Sequence, residues 1–208
     1  MRSIIVMFAL LAVCGSGTPA VAQDRMPPLA ADKLTAAQKK AVEEFKAARS
    51  ADISGPFVAL LRSPEVLSRA RAMGDYLRYK SSLPPRLSEF VILMTARQWT
   101  QNYEWSAHAP LARQAGLSPD IINAIAEGRR PDRMAEDEDI LYTLADELHR
   151  NQSVSDPTYA RAVGKFGEGG VIDTLGIIGY YTMLSIVMNT TRTPLAPGAT
   201  PGLTPFPR

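Results

Sequence analysis

Cysteine is nearly missing from this chain: Cys14 is the only one among 208 residues, and it lies in an apolar stretch close to the N-terminus. That scarcity excludes an internal disulfide, a thiolate zinc site and a two-cysteine redox couple. Imidazoles are few as well, His108 and His149 alone, so little histidine is on hand for metal ligation or proton transfer. Runs of basic residues are absent, and a formal charge of +2 leaves no electrostatic footprint for nucleic acid. No segment alternates polar and apolar residues between hairpin turn signals, so strands are not expected.

What is present begins with an export signal over residues 1–22. Arg2 supplies the positive start, Ile4 to Val13 the apolar centre, and Ala20-Val21-Ala22 a small-residue cleavage site. The apolar centre is too short to serve as a permanent bilayer span. Cleavage after Ala22 predicts a periplasmic or secreted protein without a stable membrane span, and a mature chain free of thiols. A lipid anchor on Cys14 is the weaker alternative, because bulky Val13 stands where a small residue is wanted.

The remainder reads as one all-α domain over residues 35–190, preceded by an irregular segment, 23–34, and followed by a Pro/Gly-rich tail, 191–208. Thr35 with Gln38 resembles a capping box ahead of a helix to about Ser50. Ser63-Pro64, Pro84-Pro85, Ser118-Pro119 and Asp156-Pro157 each open a helix, with proline in its first turn. Glu136 to Asn151 forms another amphipathic helix, and Gly169-Gly170 separates the last two. Thr100 to Asn102 read as cap residues between consecutive helices. The tail from Pro194 cannot continue a helix and is expected as an extended arm or a disordered segment. Leu87–Ala96 and Val171–Met188 are apolar nearly all round, which calls for burial on every side. In the second, Gly176 and Gly179 suit close helix neighbours. Two such helices in a small chain point to a homo-oligomer.

The residues that carry chemistry are Glu89, Glu104 and His108. Glu104 and His108 stand four apart, one turn above the other on a helix face. Glu89 sits among Leu87, Phe90, Val91 and Ile92, where its charge needs a partner, and His108 could be that partner. On one unbroken helix, the fifteen residues between Glu89 and Glu104 would bring both within about 60° of one face. If the helix breaks near Thr100, the two helices must cross for the groups to meet. Taken by themselves, Glu104 and His108 also fit an exposed ion pair of a few tenths of a kcal/mol. A metal held by the same groups is a further alternative, with few ligands on hand. His149, near a helix C-terminus where a cation is favoured, is given a surface role. Trp99, Trp105, Tyr103, Tyr180 and Tyr181 suit a core or interface, and the tyrosines could line a pocket.

Leu83-Pro84-Pro85-Arg86-Leu87-Ser88-Glu89-Phe90-Val91-Ile92-Leu93, then Tyr103-Glu104-Trp105-Ser106-Ala107-His108, then Ala115-Gly116-Leu117-Ser118, resemble the carboxymuconolactone decarboxylase family, which includes the alkylhydroperoxidase D-like proteins. Asp146-Glu147-Leu148-His149, Gly179-Tyr180-Tyr181 and the proline motif from Pro194 to Gly198 extend the likeness, which runs from about Leu60 to Gly198. The resemblance implies an all-helical AhpD-like domain assembling as a trimer or hexamer, with its site near a subunit interface. In the thiol peroxidase branch a Glu precedes a Cys-x-x-Cys and then a His. Glu89 and His108 match the Glu and the His, whereas Gln101 and Glu104 occupy the cysteine positions. Thiol peroxidase chemistry is thereby excluded.

The decarboxylase branch keeps a Glu-x-x-x-His, matched by Glu104 and His108. Its chemistry implies a cofactor-free, metal-free lyase or isomerase that protonates carbon on a small organic acid or lactone. Arg86 and Arg97 are then candidates to hold a substrate carboxylate, with Tyr103, Tyr180 and Tyr181 lining the pocket. The competing expectations are a non-catalytic oligomeric binding or structural member, in which Glu89 and His108 do not converge, and a metal-dependent enzyme using the same residues.

Overall fold

The computed structural model describes residues 23–205. The export signal, Cys14 and the last three residues of the tail lie outside that range. Among the described residues the chain is all helical. The first helix, α1 (Ala36–Arg49), starts at the capping box: the Thr35 hydroxyl accepts from the Gln38 amide at 3.2 Å, and the Gln38 side chain accepts from the Thr35 amide at 3.0 Å. Two proline-started helices follow, α2 (Pro56–Leu60) and α3 (Pro64–Tyr79). Next come α4 (Pro85–Gln98), α5 (Asn102–Gln114), α6 (Pro119–Ala126), α7 (Glu136–Asn151) and α8 (Asp156–Thr191). The segment before α1 is irregular apart from one 3₁₀ turn, Ala31–Lys33.

The chain breaks between α4 and α5, as the cap residues suggest. Thr100 takes a left-handed backbone (φ 46°), and the Gln101 side chain accepts from the Tyr103 amide at 2.7 Å, capping α5. Glu89 and Glu104 are therefore on two packed helices. α4 is the central rod, packed against α5, α6, α7 and α8. Leu87, Phe90, Val91, Ile92 and Leu93 are fully buried on it, which is why its sequence is apolar on all sides.

The interruption of the last helix falls at Gly167 (φ 69°, ψ 169°) and not at Gly169-Gly170. Gly167 adopts a backbone that L side chains avoid. Gly170 stays helical, and a Cβ there would lie 2.7 Å from the Phe166 Cβ, so its smallness serves packing. Gly176 packs against Leu77, whereas Gly179 is open to solvent. Asp173, inside this apolar helix, is buried yet satisfied. It accepts from the Ser82 amide and hydroxyl at 2.8 Å each and from the Tyr76 hydroxyl at 3.0 Å, pinning the α3–α4 connection to α8.

The tail takes the extended course, and it is docked. Leu203 is buried, its amide donates to Asn102 at 2.8 Å, and the Asn102 side chain donates back to its carbonyl at 3.3 Å. Gly202 lies so close to Trp105 that a Cβ would stand 2.5 Å from the indole. The tail thus braces the outer side of α5, the helix that carries Glu104 and His108.

Candidate acid–base site

Packing α4 on α5 brings Glu89 to the His108 ring. The distance from Glu89 Oε2 to His108 Nδ1 is 2.7 Å, and from Glu104 Oε2 to His108 Nε2 it is 3.4 Å. A carboxylate accepts, so Nδ1 carries a proton donated to Glu89, and in the imidazolium form Nε2 carries the second, on the Glu104 side. Glu89, Glu104 and His108 are 8%, 4% and 5% exposed, so the exposed-pair reading of Glu104 and His108 is overturned. Burial works against the charge on His108, but the flanking Glu104 and Glu89 carboxylates outweigh it, and its pKa is raised. The imidazolium form therefore persists above the ordinary value of 6.5. A nuclear magnetic resonance titration of the ring is expected to give a midpoint above that value; one at or below it would contradict the arrangement. The corresponding stabilisation is fully present below the unfolded pKa and is lost as pH rises through the raised folded value.

Glu104 and His108 border a cavity of about 190 Å³, and Glu89 stands behind the ring. Tyr103, Tyr180 and Tyr181 line the same cavity. Tyr181 meets the His108 ring edge-on at 5.1 Å, and Tyr180 meets Tyr181 edge-on at 5.2 Å. Burial lifts the Tyr180 phenol to about 12 and the Tyr181 phenol well above 10, so both are neutral donors at ordinary pH. Gly74 makes room for Tyr180, since a Cβ there would lie 2.3 Å from its hydroxyl.

The cationic wall comes from residues the sequence reading did not single out. Arg78 on α3 and Arg49 at the end of α1 line the cavity. Arg49 pairs with Asp75 at 2.8 Å and lies over the Phe57 ring at 4.7 Å. Among the described residues, Arg78 Nε and Glu104 Oε1 are buried without a hydrogen-bond partner. Such atoms are costly to leave unmade, and at the wall of a cavity they are the atoms a bound molecule would satisfy. Nothing local marks Arg78, which sits among Arg69 and Arg71 on what looks like a solvated helix face.

Arg86 and Arg97 are not at this cavity. Arg86 bonds Asp137 at 2.6 Å and also Glu138, tying the start of α4 to the start of α7. Arg97 is buried at the other end of α4 and donates to the Thr204 carbonyl at 2.8 Å. Facing acids and carbonyls from distant parts of the chain decide both, and these are invisible in local sequence. His149 is also corrected: it is half-buried, and burial lowers its pKa, so it is not the surface cation expected at a helix C-terminus. Trp105 is core, as expected, while Trp99 is more exposed and donates to Thr182 at 3.2 Å.

The two carboxylates occupy opposite nitrogens of one imidazole. They do not converge on a common point, and the ring offers no nitrogen directed at a cation held by both. This arrangement does not suit a shared metal ion.

Fold and site together define an all-helical protein with a Glu–His–Glu set walled by tyrosines and arginines. The model of the carboxymuconolactone decarboxylase family matches residues 64–136, the stretch from α3 to the start of α7 that carries Arg78, Glu89, Glu104 and His108. Over this segment the chain is similar to the carboxymuconolactone decarboxylase family, and its fold is AhpD-like. No curated protein matches the chain. Among solved structures, an uncharacterized peroxidase-related protein from Ralstonia eutropha, described as an alkylhydroperoxidase AhpD core, is similar at 16% identity. It has a TM-score of 0.66, over 83% of this chain and 92% of that one. A peroxidase-related protein from Silicibacter sp. is similar at 16% identity and TM-score 0.66, over 87% and 96% of the two chains. The debrominase Bmp8, crystallised as a cysteine-to-alanine variant with 2,3,4-tribromopyrrole, is similar at 11% identity and TM-score 0.65, over 85% and 94%. At these identities the likeness is one of fold.

Proposed function

We propose that this protein is an exported, cofactor-free lyase or isomerase that moves a proton to or from carbon on a small organic acid or lactone. The observation that supports this most strongly is the His108 ring held between two buried carboxylates, with its Glu104 side bordering a cavity. Arg78 would hold the substrate carboxylate, and the cavity, smaller than the roughly 300–1,000 Å³ usual for drug-sized ligands, suits a small molecule. In a decarboxylation the bond to the carboxylate breaks and its electron pair passes to the adjacent carbonyl as an enolate. CO₂ leaves, and the Nε2 proton of His108 is delivered to the carbon. Water then returns a proton to the ring, with Glu104 as the relay, so each turnover consumes one solvent proton. Glu89 fixes the tautomer and sustains the imidazolium.

The thiol route used by a cysteine-pair peroxidase has no counterpart here, since Cys14 is the only cysteine of the sequence and Glu104 stands at one of the two expected thiol positions. Homo-oligomer formation belongs to the same reading, supported by the exposed Ile172 (66%) and Tyr79 (69%) on neighbouring helices. The test is a panel of lactone acids incubated with the protein in deuterated water. A product carrying one solvent deuterium on the former carboxylate-bearing carbon is expected. Product formed with no deuterium at carbon would end the proton-transfer reading.

A further inference from the structure

A second hollow of about 380 Å³ lies beside the first, and the two share Ser54 and Tyr103 as lining residues. Its chemistry is different. Met26, Ile53, Val58, Pro194, Leu195 and Pro197 supply an apolar lining drawn from the N-terminal segment, α2 and the tail. Asp24 is the one carboxylate among its lining residues, and it would repel a second anion. Tyr103 is held where the two hollows meet. Its amide is bonded to Gln101, and its ring lies so close to Gly55 that a Cβ there would stand 2.6 Å from the ring edge. Gly55 has φ +56°, so this close approach needs glycine twice over.

Resting on the function proposed above, we infer that the substrate is an amphiphilic monoacid, with its anionic head on Arg78 beside His108 and an aliphatic portion running past Tyr103 into the apolar hollow. The two hollows adjoin at Ser54 and Tyr103, and this adjacency commits the second to the same molecule as the first. Charge agrees: Arg78 faces the head, with a buried Nε lacking a partner among the described residues, while the far hollow holds no cation. Tyr103 is on this view the specificity-determining residue, its ring offering an apolar face to the chain and its hydroxyl to the head.

The experiment is calorimetric titration of the full chain with straight-chain carboxylates from butanoate to decanoate. Affinity is expected to rise about fourfold per added methylene once the chain passes Tyr103, as burial of each CH₂ predicts. Leu195→Asp and Val58→Asp are expected to abolish that rise, with the helical circular dichroism spectrum unchanged. Arg78→Gln is expected to weaken every acid by a similar factor and keep the rise. A flat series in the native protein, a rise that survives both aspartate variants, or no binding by any of the acids would overturn the inference. Turnover plays no part in this measurement. Failure of the deuterium experiment would therefore leave the chain-length result standing, and a flat series would leave the deuterium result standing.

Discussion

Replacing His108 with alanine is expected to lower turnover of a responsive lactone acid by about 10²–10⁴-fold, the range supplied by a positioned general acid. The fold should survive, because the change empties space beside an existing cavity and is not made among the fully buried side chains of α4. Glu89→Gln should act through the ring. A neutral amide still accepts from Nδ1 but no longer sustains the positive charge, so the His108 pKa falls toward its ordinary value. Activity that depends on the imidazolium declines as pH rises through the folded pKa. The glutamine variant is therefore expected to lose activity at a lower pH than the native protein. Rate–pH profiles of native protein, Glu89→Gln and His108→Ala measure this directly. Equal turnover by native protein and His108→Ala would remove the imidazole from the mechanism, and superimposed profiles for Glu89→Gln would remove Glu89 from its tuning.

The second large effect is on stability. Arg86→Ala is expected to destabilise the fold by about 2–4 kcal/mol, read as a lower denaturant midpoint. Glu138 is buried and Asp137 is half-buried, and removal of the guanidinium leaves their charges facing each other without compensation. Adding Glu138→Gln to the alanine variant should recover part of the loss, because the stranded buried charge is then gone. Under conditions where the alanine variant is folded, its apparent affinity for substrate should match that of the native protein. A raised KM with unchanged stability would return Arg86 to the substrate-binding role that its place beside the Glu89 helix suggested.

The contrast between Arg86 and Arg78 shows where sequence stops being legible. Both are arginines near a helix carrying or facing the site, and only one reaches the cavity. Arg86 is drawn to acids at the start of α7, some fifty residues on, whereas Arg78 points inward from α3. The choice depends on which charges the fold sets opposite each guanidinium. His149 teaches the same lesson, since a helix C-terminus favours a cation, yet packing around α7 buries the ring and lowers its pKa. By contrast the helix starts were readable almost residue by residue, because capping hydroxyls and first-turn prolines act within four residues of the backbone groups they serve. The last interruption lies two residues before the Gly-Gly pair. Gly-Gly at 169–170 looked like the break, but Gly167 took the positive φ, and Gly170 was spent on contact with Phe166.

From the residues alone follow an all-helical chain with a single cysteine, at position 14, no thiol pair, and Glu104 and His108 set one turn apart on a helix face. Those properties depend on composition, on short-range capping and on the turn-to-turn spacing of one helix. Tertiary structure alone decided that α4 and α5 pack so that Glu89 holds one ring nitrogen while Glu104 faces the other, that Arg49 and Arg78 form the cationic wall, and that an apolar hollow adjoins the site at Tyr103. These pairings join residues from separate helices and from both ends of the chain. Their energies come from desolvation and from facing charges, which exist only once the helices have packed.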